Sequence, residues 1–305
     1  MIDIKEKHTL FENGLYTYDV MEKQMNRLTE RYPFIKQSVI GKSIEGRNIY
    51  CIQLGIGKRK IHINAAHHAN EWITALVVMR SLEIMCYVLT KKGCINHFNM
   101  EHIFQKVTYD FVPMVNPDGV ELSVYSKKIV KNKPYLIQYN EGSMDFTRWK
   151  ANINGVDLNR NYDAGFLEYV LGEKLDKPSY AYYQGERPES EPETKALADL
   201  TRNRDYDMVF AYHTQGEVIY WNYKDIILDY CKLYADIFSK ASGYLLDIPE
   251  QNAASGGYKD WFIKAFNKPG FTIECGYGEN PITISQLDSI VKTTIPILVL
   301  ASRKL

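Results

Sequence analysis

The sequence predicts a layered α/β fold in a single domain spanning residues 1–305. Three observations carry this. Short apolar runs of strand length alternate with amphipathic stretches along much of the chain. No internal repeat, low-complexity segment or linker-like break interrupts them. Residues capable of chemistry fall where strand-like runs end, which is where open α/β sheets place ligands.

The 305 residues are 45% hydrophobic, enough for one large core. Basic and acidic residues balance at 37 each, so the net charge carries no footprint of nucleic-acid or anionic-membrane binding. Cys51, Cys86, Cys94, Cys231 and Cys275 are scattered and form no C-x-x-C. That argues against a disulfide framework or a cysteine zinc site. It fits a reducing compartment with most thiols buried. The N-terminal stretch lacks an apolar run of signal-peptide length. The longest apolar runs, such as residues 75–79, are too short to cross a bilayer. The expectation is a cytoplasmic protein with neither nucleic acid nor membrane as partner.

Residues 18–32 read as an amphipathic helix, with Met21, Met25, Leu28 and Tyr32 on one face and Pro33 as the stop. Residues 40–54 read as a hairpin turning at Gly46. Residues 60–66 (KIHINAA) form a strand, and residues 73–89 have helical apolar spacing. Residues 108–115 are a further strand, ending in the turn signal Asn116-Pro117-Asp118-Gly119. Residues 123–145 have no clear period and read as a long surface loop.

Residues 156–162 (VDLNRNY) are too polar at their end for a core strand, and residues 163–188 form a second long loop. Ser190-Glu191-Pro192-Glu193 has the spacing of a capping box, with a helix running to about Asn203. Strands are expected at residues 207–212, 217–221 and 270–273. Helices are expected at residues 225–242, ended by Gly243, and at 285–303. Residues 254–261 (ASGGYKDW) open on a glycine-rich turn.

The stretch at residues 67–72, His-His-Ala-Asn-Glu-Trp, lies between a strand and a helix. His68 and Glu71 stand three apart, and an imidazole nitrogen and a carboxylate oxygen both suit zinc. His213 and Glu274 end two other strand-like runs. If those strands are neighbours, two histidines and one glutamate can hold zinc with a position left open for water. Glu274 is then the free carboxylate that takes a proton from water and passes it to a leaving amine. This is metal-assisted hydrolysis of an amide. Each of the four residues alone is as readily a structural polar group. His67 is the bystander of the pair, and His8, His62, His97 and His102 have no partner pattern.

Nearly the whole chain resembles the zinc metallocarboxypeptidases of the pancreatic carboxypeptidase A type. The segments that carry this are YPF and IGKSIEGR within residues 32–47, HANEW at 68–72 and VNPDG at 115–119. GVDLNRN at 155–161, residues 183–194 with SEPET, YH at 212–213, ASGG at 254–257 and FTIE at 271–274 complete the set. Each is weak singly; in this order and spacing they are specific. The resemblance implies an α/β/α sandwich around a mixed, largely parallel sheet of about eight strands. It implies one zinc held by His68, Glu71 and His213, with Glu274 as general base and acid. Asn159 and Arg160 would hold a substrate carboxylate, Arg160 through its fork.

The chain also departs from that family. An arginine that polarises the scissile carbonyl is replaced in Trp149-Lys150, with Arg148 nearby as the other candidate contact. A second family arginine is Asn70 here, and the position of the mobile tyrosine is Asn252. The residue that sorts substrates, just before Asp260-Trp261, is Lys259. An inward amine there would favour a side chain carrying an acid. Residues 274–281 (ECGYGENP) look most like the bacterial branch that cleaves γ-D-glutamyl–diaminopimelate bonds in peptidoglycan peptides. The partner is then a peptide or muropeptide. The alternatives are a carboxypeptidase removing C-terminal acidic residues and a non-catalytic peptide-binding module.

Overall fold

The computed structural model describes residues 14–168, 175–248 and 255–304. In chain order its strands are β1 (Lys36–Lys42), β2 (Asn48–Leu54), β3 (Arg59–Ala65), β4 (Cys94–Ile95), β5 (Phe98–Asn99) and β6 (Val107–Val112). β7 (Met208–His213), β8 (Val218–Tyr220), β9 (Leu245–Asp247) and β10 (Gly270–Glu274) follow. Eight of them form one mixed sheet in the order β1-β2-β6-β3-β7-β10-β8-β9. The centre, β6-β3-β7-β10, is parallel throughout, and antiparallel neighbours flank it at β2 and β8.

Helices cover both faces. They are α1 (Tyr18–Arg31), α2 (Ile73–Thr90), α3 (Met100–Lys106), α4 (Pro117–Val130), α5 (Leu136–Tyr139), α6 (Pro192–Arg204), α7 (Asp229–Ser242), α8 (Tyr258–Phe266) and α9 (Leu287–Ala301). β7 shows how one strand serves two cores. Met208, Phe210 and Tyr212 join the cluster that holds Leu28, Leu76, Phe238 and Leu298 from α1, α2, α7 and α9. Val209 and Ala211 join the opposite cluster, with Leu197 of α6 and Phe262 of α8. A strand buried on both faces reads as a continuous apolar run, because alternate residues point to different layers. The expected three-layer sandwich is what the structure shows.

Two stretches, Ala69–Thr90 and Ile284–Ala301, have mean hydropathies of 1.6 and 1.3, enough by length and composition to cross a membrane, although no uninterrupted apolar run does so. They are 72% and 56% buried, and α2 and α9 pack on each other, with α2 also against β3 and α9 against α7. Burial between layers accounts for their apolar character.

Four expectations are corrected. Asn116–Gly119 is not a free turn: it opens α4, with the Asn116 side chain accepting from Gly119 N at 3.0 Å. The stretch read as a surface loop, residues 123–145, contains the rest of α4, kinked at Tyr125, and then α5. The capping box does not form. Glu191 is the N-cap of α6, and Ser190 Oγ donates to Glu191 Oε1 at 2.9 Å. Glu193 is instead buried and accepts from Ile44 N at 3.2 Å, its pKa pushed up to about 8, chiefly by burial. Finally, α7 starts at Asp229, which leaves Ile227 outside the helix and exposed.

Candidate metal centre and active site

The parallel pairing Ala65↔Tyr212 and Glu274↔His213 brings the carboxyl ends of β3, β7 and β10 to one edge of the sheet. The chain leaves β3 through Ala66 and His67, and His68 stands extended before the helical turn Ala69–Glu71. That turn is anchored from both sides. Ala69 N and Asn70 N donate to the carbonyls of Lys150 and Trp149, each at 3.0 Å. Thr74 Oγ1 donates to Glu71 O at 2.7 Å and accepts from Ala66 N at 3.0 Å.

His68, Glu71 and His213 thereby converge, with ligand atoms all within 4.8 Å of one another. Nδ1 of His68 lies 2.8 Å from one Glu71 oxygen and Nδ1 of His213 lies 2.9 Å from the other. A buried carboxylate between two inward-facing imidazoles is a donor set of the kind zinc takes. His68 Nε2 meets Asp157 Oδ1 at 3.2 Å. A carboxylate on the outer nitrogen keeps the proton there and leaves Nδ1 for a metal. The donor set fits zinc on its own chemistry.

Charge in the cluster follows from this packing. Burial pulls the His68 pKa down, but the carboxylates of Glu71 and Asp157 outweigh it, and the value rises to about 9. Burial dominates at His213 and lowers its pKa. Burial also opposes ionisation of Glu71, yet the two imidazoles hold its pKa well below the usual carboxylate range. Asp157 is likewise lowered: burial resists, and His68 with Arg160 and Lys150 prevails.

Glu274 stands beside His213 in register and is not part of the three-residue cluster. Burial first, and then the Glu71 charge, push its pKa up to about 8, against His68, Lys150 and Arg160. Lys150 Nζ lies 3.9 Å from Glu71 and 6.0 Å from the centre of the Tyr182 ring. The structure does not bring Arg148 to the cluster. Its guanidinium is on the surface, 2.5 Å from Glu141 and stacked 4.2 Å from the Tyr180 ring centre.

Asn159 and Arg160 lie on the helical turn Leu158–Arg160, capped by Asp157. Asn159 Oδ1 accepts from Tyr258 N at 3.1 Å, and Arg160 Nη1 donates to Asn159 O at 3.2 Å. The glycine-rich turn closes on this loop. A Cβ at Gly256, whose φ is +77°, would stand 2.3 Å from Arg160 O. Only glycine permits both that conformation and that approach. Asn161, itself buried, has the partners its polarity demands: the carbonyls of Gln184 and Arg187 and the Ser190 hydroxyl.

Lys259 is buried at the start of α8, an element the sequence reading did not recognise. Its amine donates to Asn222 O at 2.5 Å and pairs with Asp260. It is neither solvated nor in a loop. His67 is the expected bystander, bonded to Tyr162 Oη at 3.0 Å. His62 is buried against Tyr206 and Tyr258. His8 and Asn252 lie outside the described residues. Sequence reasoning missed Asp157, Thr214 and Asn280, all of which touch a member of the cluster. Asp157 sits inside the GVDLNRN segment, and a carboxylate behind a metal-binding histidine is the signal that points to it.

A sequence profile of zinc carboxypeptidases matches residues 21–296. The chain belongs to the zinc carboxypeptidase family. As a family member it is a zinc metallopeptidase that uses one zinc. It is 41% identical over 286 residues to gamma-D-glutamyl-L-diamino acid endopeptidase 1 of Lysinibacillus sphaericus, covering 92% of this chain and 71% of the relative. It is 34% identical over 290 residues to YqgT of Bacillus subtilis, covering 94% of this chain and 77% of that one. Among solved structures, thrombin activatable fibrinolysis inhibitor superposes with a TM-score of 0.77 at 21% identity, over 95% of this chain and 74% of that one. At that identity the likeness speaks for the zinc carboxypeptidase fold alone.

Proposed function

We propose that this chain, acting as one catalytic domain, hydrolyses the γ-D-glutamyl–meso-diaminopimelate amide bond of peptidoglycan peptides. One observation carries the reading. The 41% likeness to a γ-D-glutamyl-L-diamino acid endopeptidase runs through 92% of the chain, and the donor cluster within that span is intact.

His68, Glu71 and His213 would hold the zinc. When bound, zinc supplies Lewis-acid polarisation of an amide carbonyl and acidification of water. Glu274 takes the proton of the attacking water and delivers it to the leaving amine. Lys150, rather than Arg148, faces the charge that develops on the carbonyl oxygen, as a point charge without a fork. Arg160 and Asn159 hold a carboxylate of the substrate.

Lys259 is assigned to the second carboxylate of diaminopimelate. Asn222 O and Asp260 engage its amine in the free protein, so a substrate carboxylate would share or displace the Asp260 contact. Lys259→Ala should weaken cleavage of diaminopimelate substrates more than that of their lysine-containing counterparts. Equal losses in kcat/KM for the two would remove Lys259 from substrate selection.

The reading is tested by mass spectrometry on two peptides, L-Ala-γ-D-Glu-meso-diaminopimelate and an ordinary α-peptide ending in glutamate. Release of free diaminopimelate from the first is expected. Release of glutamate alone would reassign the protein as a carboxypeptidase of acidic C-termini. Binding of zinc and peptide without cleavage of either would make it a binding module.

A further inference from the structure

We infer that Asn280, locked by Thr214, is a positioning residue for the metal-binding carboxylate of Glu71. Glu71 is 1% exposed, and a buried carboxylate needs donors at both oxygens. In this structure the shortest of these contacts are the two imidazole Nδ1 atoms. An imidazole nitrogen that binds a metal has no proton to donate. With zinc held by Glu71, those two imidazole contacts are lost, and the acceptor sites of the carboxylate that the metal does not take are left to uncharged donors.

Two uncharged donors are in place. Thr214 N lies 3.3 Å from Glu71 Oε2, and Asn280 Nδ2 lies 3.4 Å from Glu71 Oε1. The amide of Asn280 cannot turn freely. Thr214 Oγ1 donates to Asn280 Oδ1 at 2.6 Å, and Asn280 Nδ2 donates to Thr214 O at 2.9 Å. This pair of bonds fixes which end of the amide faces Glu71: the donor end. Thr214 directly follows His213, and Asn280 lies six residues after Glu274. One carboxamide thus ties the strand end that carries a metal-binding histidine, the tail behind the general base, and the carboxylate between the two imidazoles. This gives the ENP tail of residues 279–281 a physical role.

The test is zinc affinity, measured by competition with a chromophoric chelator, alongside melting of the zinc-free protein. Thr214→Val removes the hydroxyl half of the lock but keeps the backbone N–H and carbonyl, Thr214→Ser keeps the hydroxyl, and Asn280→Ala removes the donor. Asn280→Ala and Thr214→Val should each weaken zinc binding by about 10–100-fold, with zinc-free melting close to that of the parent. Thr214→Ser should bind like the parent. The double variant should lose no more than the worse single one, because the two residues act as a unit. Parent-like zinc affinity in Thr214→Val overturns the lock, whatever Asn280→Ala does. Should Asn280→Ala fail to fold, the contrast between Thr214→Val and Thr214→Ser still decides.

Discussion

Glu274→Gln should cut hydrolysis steeply and leave the zinc in place. Glutamine preserves shape and hydrogen bonding but cannot take a proton from water. General-base catalysis is worth roughly 10²–10⁴-fold, and kcat should fall by that amount. Glu274 lies outside the three-residue cluster, so zinc content should match the parent. The same carboxyl sets the acidic limb of the pH profile. Burial and the neighbouring Glu71 charge hold its pKa above the ordinary carboxylate range, and the base works only when ionised. That value belongs to the zinc-free protein; bound zinc adds positive charge that draws it down, and the parent's kcat/KM should rise with pH along an acidic limb as Glu274 ionises. Full activity in Glu274→Gln would take the role away from Glu274.

His213→Ala releases the zinc and all activity with it. His213 is buried at the end of β7 and supplies the 2.9 Å contact to Glu71 Oε2. Alanine removes one of three metal donors, and among the described residues no other histidine is placed to replace it: His67 is turned to Tyr162. Metal analysis after dialysis should find about one zinc per chain in the parent and a small fraction of that in the variant.

The parent's zinc affinity should itself depend on pH, because His68 must give up a proton to bind. Its zinc-free pKa of about 9 means that acidification below that value weakens zinc binding. Stability of the zinc-free protein runs the other way. A histidine whose pKa is raised on folding stabilises fully below its ordinary value near 6.5, and that contribution fades as pH climbs through about 9. Zinc retained in His213→Ala, or an affinity flat between pH 6 and pH 9, would contradict this picture of the centre.

Much of the layered fold was legible because its signals are local. Met21, Met25 and Leu28 show one helical face, and they are buried as that face requires. The β3 run is apolar because the strand is buried. The failures arise where distant chain overrides local pattern. Glu193 has the spacing of a capping residue, but Ile44 and Asn152 draw it into the interior. α4 was hidden because it kinks at Tyr125 and carries lysines in its second half. The twelve residues between Gly257 and β10 concealed α8, a helix of nine residues.

The cluster itself was legible, since each member ends a strand or opens a helix. Its partners were not: Asp157 is 89 residues from His68, and Asn280 is 209 residues from Glu71. Arg148 shows the converse, since nearness to Lys150 in sequence gave it a place in the site that its pairing with Glu141 does not support.

Asp157 binds His68 with one oxygen and Tyr182 N with the other, at 3.1 Å, and also caps the turn that carries Asn159 and Arg160. Whatever loads the imidazole also loads that turn. Metal occupancy and affinity for the substrate's carboxylate are therefore two ligand equilibria sharing one carboxylate, and linkage makes the coupling reciprocal. A peptide seated on Arg160 would strengthen binding of the metal by the same free energy with which the metal tightens the peptide. In a zinc-poor environment the substrate would act as a keeper of its own cofactor.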